Sequence, residues 1–247
     1  MFEVKNLMVF YENALAINDL SLEVKEGEIV GLFGSNSAGK STLFNTTAGL
    51  THHMAVREAR RGGQRITIYG EIQFNGENIV GRKPNYIVKK GIVLCRERHP
   101  VFRDLTTRQN LELGGFLLDQ KKIKEGIELA YEIFPNLKEL KDRKAGLLSG
   151  GEQEMVSIGI ALVAQPKLML LDEPLLGLSP LLQQKVVQAL QDIRESGVTV
   201  FVSEQYARPV MPFVDRGYII ENGTLVFSGT KNELMENPEV MSAYFGT

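Results

Sequence analysis

Residues Gly34-Ser35-Asn36-Ser37-Ala38-Gly39-Lys40-Ser41-Thr42 follow an apolar run at 29–33 and open a segment of helical character at 40–48. The G-x-x-x-x-G-K-S spacing between strand and helix predicts a phosphate-binding loop. Its backbone N–H groups, with the positive end of the helix, surround phosphates. Lys40 then reaches the β- and γ-phosphates, and the Ser41 hydroxyl completes the shell of a Mg²⁺ ion. Further along, Asp172 ends a second apolar stretch at 168–171, where its carboxylate can hold Mg²⁺ through a water. Glu173 beside it can polarise an attacking water. Between the two, Ser149-Gly150-Gly151 offers a hydroxyl and two backbone N–H groups at the start of a helix. That pattern serves either as an anion site or as a plain helix cap.

Strands and helices must bring these segments together. Short alternating apolar runs over 2–24, broken by Lys25-Glu26-Gly27-Glu28, predict antiparallel strands. Asn75-Gly76, after the strand pattern at 66–74, and Asn222-Gly223, between 219–220 and 225–227, predict tight hairpin turns. Residues 106–148 take helical spacing, interrupted at Pro135, and form a candidate helical lobe. A helix from about Glu152, a strand at 168–171, a helix at 180–195 and a strand at 198–202 follow. Such alternation builds a parallel sheet with ligands at the carboxyl ends of its strands. Residues 51–65, with His52, His53, Arg57, Arg60, Arg61 and Arg65, read as a basic, solvated surface loop. The adjacent histidines lack a nearby histidine or cysteine to complete a metal site.

Composition excludes several classes of function. With 28 basic and 30 acidic residues mixed along 247 positions, the chain has a net charge of −2 and no global attraction to nucleic acid. The single cysteine, Cys95, excludes an internal disulfide and suits a reducing cytosol. No apolar stretch reaches membrane-spanning length, and Met1-Phe2-Glu3-Val4-Lys5 does not begin a signal peptide.

The order of the motifs, with Leu148-Ser149-Gly150-Gly151-Glu152-Gln153 between the phosphate loop and Asp172-Glu173-Pro174, closely resembles the ATP-binding subunits of ABC transporters. The resemblance covers essentially the whole chain. It implies an α/β fold: a P-loop NTPase core of mixed, mainly parallel sheet with flanking helices, an antiparallel β edge and an inserted helical lobe. The single domain, 1–247, then divides into a core (1–98 and 150–247) and a lobe (about 99–149). ATP and Mg²⁺ are the implied ligands. Two ATPase subunits, identical or paralogous, pair head to tail, so that Ser149, Gly150 and Gly151 of one close over the γ-phosphate on the other's loop. Transmembrane permease subunits are the further partners, which puts the chain at the cytoplasmic side of a membrane. No nucleic acid is implied.

Other positions follow one at a time from the resemblance. Tyr11 matches the aromatic that stacks on adenine, and 175–180 matches the loop that crosses to the partner subunit. Glu97 stands where the family usually has a glutamine that contacts Mg²⁺, and Gln205 where it has a switch histidine. Gln205 can hydrogen-bond a γ-phosphate but cannot take up a proton, which leaves Glu173 to activate water. Arg96-Glu97-Arg98, Ser203-Glu204-Gln205 and Leu178-Ser179-Pro180-Leu181-Leu182 look like the branched-chain amino-acid importer branch. Urea or amide import and lipid export are alternative cargoes. A soluble mechanoenzyme would need a coiled-coil insertion or a second ATP domain, neither of which is present. Three departures stand out: Ser37 at a usual glycine, Ile160 at a usual arginine, and the long 51–65 segment. Ser37, Ile160 and Gln205 leave open a module that dimerises without turnover, against which intact Lys40, Asp172 and Glu173 argue. A positive φ at Ser37 would cost about 1–2 kcal/mol.

Overall fold

The computed structural model describes residues 1–98 and 101–244. Residues 99 and 100, where the expected lobe begins, and 245–247 lie outside the described residues. In chain order the elements are β1 (Phe2–Tyr11), β2 (Ala14–Val24), β3 (Ile29–Phe33), α1 (Lys40–Thr47), α2 (Leu50–Arg61), β4 (Ile66–Phe74) and β5 (Glu77–Asn78). Next come α3 (Pro84–Lys90), β6 (Ile92–Cys95), α4 (Thr107–Gly114), α5 (Gln120–Ile133), α6 (Pro135–Glu139) and α7 (Gly150–Val163). The chain closes with β7 (Leu168–Asp172), α8 (Pro180–Glu195), β8 (Thr199–Glu204), β9 (Arg216–Glu221), β10 (Thr224–Thr230), α9 (Lys231–Glu236) and α10 (Pro238–Tyr244).

Two sheets result. The order β10-β9-β3-β8-β7-β6 makes a six-stranded sheet, parallel from β9 to β6, with β10 antiparallel at its edge. The predicted antiparallel edge is a separate sheet of order β2-β1-β4-β5. Both Asn-Gly turns form as expected. Asn75 and Gly76, and likewise Asn222 and Gly223, all take the left-handed φ that a two-residue hairpin with matching twist requires.

The central strands are buried on both faces, which is why they read as continuous apolar runs rather than alternating ones. One face carries Ile29, Phe33, Met169, Leu171, Val200 and Val202 against α7, α8 and the helices of the lobe. The opposite face carries Val30, Leu32, Leu168, Leu170 and Phe201 against α1 and the antiparallel sheet. Phe201 anchors that second layer, with ring centroids 5.0 Å from Phe44 and 6.1 Å from Phe2. Between β6 and β7, α4 and α5 pack on α7. Pro135, expected to interrupt the helical run, begins α6 at a position where its missing N–H costs nothing.

One expectation is corrected. The 51–65 segment is not a loop, because 50–61 forms α2. Its Met, Ala, Arg and Glu residues are strong helix formers. Arg60 and Arg61 complement the negative end of the helix dipole, and Gly62, at φ 63°, closes it in the left-handed conformation. Thr51 alone among its residues is buried, so no apolar periodicity announced the helix.

Candidate functional site

The C-terminal ends of β3 and β7 aim the two motifs at one place. The loop after β3 leads into α1, whose N-cap is Gly39, with no side-chain cap on the first helical N–H groups. Those groups stay available to an anion. Gly39 is required there, since φ is 107° and a Cβ would stand 2.8 Å from the Ala16 carbonyl oxygen. Ser37, at φ 66°, does occupy the left-handed region where the sequence departs from glycine, so the loop carries the expected backbone strain.

A cavity of about 590 Å³ opens over this loop. Ten of the predicted site residues line it: Tyr11, Asn36, Ser37, Ala38, Gly39, Lys40, Ser41, Thr42, Glu97 and Glu173. Gly34 and Ser35 stand behind, their carbonyl oxygens accepting from Lys40 Nζ at 2.7 and 3.0 Å. The buried Lys40 ammonium also pairs with a Glu173 carboxylate oxygen at 3.0 Å. Glu173 takes φ 51°, and its N–H donates to the Ser203 carbonyl oxygen at 3.1 Å and contacts the Ser203 hydroxyl at 3.3 Å. A left-handed residue straight after a strand turns the carboxylate out of the sheet and over the loop.

Asp172 ends β7 and is 5% exposed. Burial raises its pKa; hydrogen bonds from Ser203 and Ser41 oppose that rise, while the nearby Glu173 and Glu97 carboxylates add to it. The Ser203 hydroxyl donates to Asp172 Oδ1 at 2.7 Å. Ser41 and Asp172, widely separated in sequence, are thus brought close together.

Other predicted residues lie elsewhere. Ser149, Gly150 and Gly151 form the N-terminus of α7 and do not line this cavity. Ser149 caps α7 in a reciprocal box: its hydroxyl accepts from the Glu152 N–H at 3.3 Å and its own N–H donates to the Glu152 carboxylate at 2.7 Å. Gln205 follows the end of β8, half-buried, and is not part of the cavity wall. Residues to which the sequence assigned no role in the cavity also contribute. Arg98, Ala16 and Leu176 line the cavity. Ser203 holds both Asp172 and Glu173, and Glu204 accepts from the Leu175 N–H at 3.0 Å. The available signal was the Ser-Glu pair ending the apolar strand at 198–202, at the carboxyl edge where parallel sheets place their ligands.

Comparison with known proteins gives the family. Residues 17–176 match the ABC transporter family. A high-affinity branched-chain amino acid transport ATP-binding protein, BraG of Pseudomonas aeruginosa, is 40% identical over 246 residues, covering all of both chains. The lipopolysaccharide export system ATP-binding protein LptB of Haemophilus influenzae is 32% identical over 98% of this chain and 95% of its own. Among solved structures, the ADP conformation of an ATP-binding cassette of an ABC transporter superposes with a TM-score of 0.83 at 24% identity, over 100% of this chain and 99% of the other. None of the helices among the described residues is long and apolar enough to cross a membrane. By the family match over 17–176 and the relatives that span both full lengths, the chain belongs to the ABC transporter family as an ATP-hydrolysing, ATP-binding subunit.

Proposed function

We propose that this subunit drives import of branched-chain or other hydrophobic amino acids, pairing with a second ATPase subunit beneath transmembrane permease subunits. The observation that carries the chemistry is the contact of Lys40 with Glu173 in the wall of the phosphate cavity. Oxygens of the triphosphate compete for Lys40, and their binding releases the Glu173 carboxylate to orient and polarise water. Phosphoryl transfer to water depends mainly on position and charge, so the free N–H groups of α1, Lys40 and one carboxylate supply most of what it needs. Tyr11, at the end of β1 and in the same wall, takes the adenine ring.

Ser41 and Asp172 fit a Mg²⁺ ion. Both offer oxygen, Ser41 stands close enough to Asp172 to oppose the rise in its pKa, and this ion favours one or two carboxylates together with substrate phosphates. Among the described residues, no group of three or more His, Cys, Asp or Glu could hold a metal by itself, which suits an ion that enters with the nucleotide. When bound, the ion neutralises phosphate charge. Glu97 faces the same point and adds a carboxylate there. Ser149, Gly150 and Gly151 lie outside their own chain's cavity, the placement needed to serve the partner's nucleotide. A solved ATP-binding cassette bound to ADP and Pi, with a TM-score of 0.74, is dimeric, which supports this pairing. Gln205 reaches phosphate only if the segment after β8 moves toward the loop on closure.

For cargo, the 40% identity to BraG over both full lengths favours amino-acid import. The 32% identity to LptB supports lipid export as the second reading. Uptake of labelled leucine in cells with and without the chain separates them. Uptake that depends on the chain and on Lys40 is expected. Unchanged leucine, isoleucine and valine uptake, with loss of an exported lipid, would favour the second reading.

A further inference from the structure

We infer that Arg98 is a nucleotide-binding residue that grips the terminal phosphate and makes the site prefer triphosphate over diphosphate, an inference resting on the assignment of this cavity to ATP. Four charged side chains line the cavity: Lys40, Glu97, Arg98 and Glu173. Lys40, held by the Gly34 and Ser35 carbonyl oxygens and paired with Glu173, offsets only one of the two carboxylates. The Glu97 carboxylate adds a second negative charge to the same wall as Glu173. Two carboxylates facing a polyanion oppose its binding unless a cation offsets them. Arg98 is that cation. Its Nε lies 3.8 Å from Glu97 Oε1, beyond hydrogen-bond reach, and its side chain is 81% exposed, so its planar fork of donors stays open to phosphate.

The backbone supports the assignment. Arg98 holds φ 66°, a conformation that arginine adopts at a cost and that glycine or asparagine adopts readily. The turn lies in the segment after β6, and Arg98 lines the cavity next to Glu97.

The backbone geometry also allows a clean test. Arg98→Gly and Arg98→Asn keep or ease the turn while removing the charge, and Arg98→Lys keeps the charge without the fork. Kd for ATP and for ADP is measured by calorimetry, with Mg²⁺, at low and high salt, for the full chain and each variant. ATP affinity is expected to fall about tenfold in Arg98→Gly and Arg98→Asn, with ADP affinity changed less than twofold, an intermediate loss in Arg98→Lys, and a weaker salt dependence in the uncharged pair. If wild type binds ATP and the ratio of ATP to ADP affinity is the same in all four proteins, Arg98 is not a phosphate ligand. If wild type binds neither nucleotide, the assignment of the cavity itself fails, and the role of Arg98 with it.

Discussion

Glu204→Gln tests the electrostatics behind the site. Glu204 ends β8, is 7% exposed, and accepts the Leu175 N–H at 3.0 Å, tying β8 to the loop at 175–180. Burial, above all, pushes its pKa up from 4.5 to about 8; the Leu175 N–H and Lys40 oppose the rise, and Glu173 and Glu154 reinforce it. The folded chain therefore holds a proton there that the unfolded chain has released. The neutral carboxyl's contribution to stability is fully present below about pH 4.5 and is lost as pH rises through about 8. At 1.36 kcal/mol per pH unit, that interval corresponds to about 5 kcal/mol at the limit, and to about 2–5 kcal/mol once water penetration and relaxation are allowed for. Glutamine keeps an oxygen for Leu175 and cannot ionise. The assay is thermal unfolding of both proteins at pH 5 and pH 9 without nucleotide. The two should melt together at pH 5, and the variant should melt about 5–15 °C higher at pH 9. Parallel curves across that range would refute the reasoning, because they would mean that Glu204 stays ionised in the folded chain at no cost.

Further outcomes follow from packing and backbone geometry. A Cβ at Gly126 would meet Val163 Cα at 2.7 Å, so Gly126→Ala should push α5 from α7 and cost about 1–3 kcal/mol in urea unfolding. Ser37→Gly should relieve the φ of 66° and raise stability by up to about 1 kcal/mol, with the ATP Kd nearly unchanged; a loss of stability would show that the hydroxyl compensates the strain. Ser149→Ala removes the cap of α7 and should cost about 1 kcal/mol in the monomer, measured by denaturant unfolding.

Much of the fold was legible because its signals are local. The phosphate loop, both Asn-Gly hairpins and the span of α8 are each fixed by a few residues of special chemistry or by a clear period. The failures have physical causes. α2 is held by propensity and capping rather than by an apolar face, so it read as a loop. β6 is four residues long and directly follows α3, too short for any period to separate it from its helix. At the site, Lys40, Ser41, Asp172 and Glu173 were visible as motifs. The supporting roles of Ser203 and Glu204 depend on long-range contacts to Asp172, Glu173 and Leu175, which no spacing along the chain encodes. Arg98 became a candidate only as part of the cavity wall.

Mg²⁺-dependent ATP hydrolysis by the purified chain beside its Glu173→Gln variant, with size-exclusion chromatography of both in ATP, tests the central claim most directly. The carboxylate 3.0 Å from Lys40 is taken to activate the attacking water. Turnover in the variant should fall about 10²–10⁴-fold, and the variant should elute as an ATP-dependent dimer. Unchanged turnover, with no dimer, would contradict the account by showing that a group other than Glu173 activates the water.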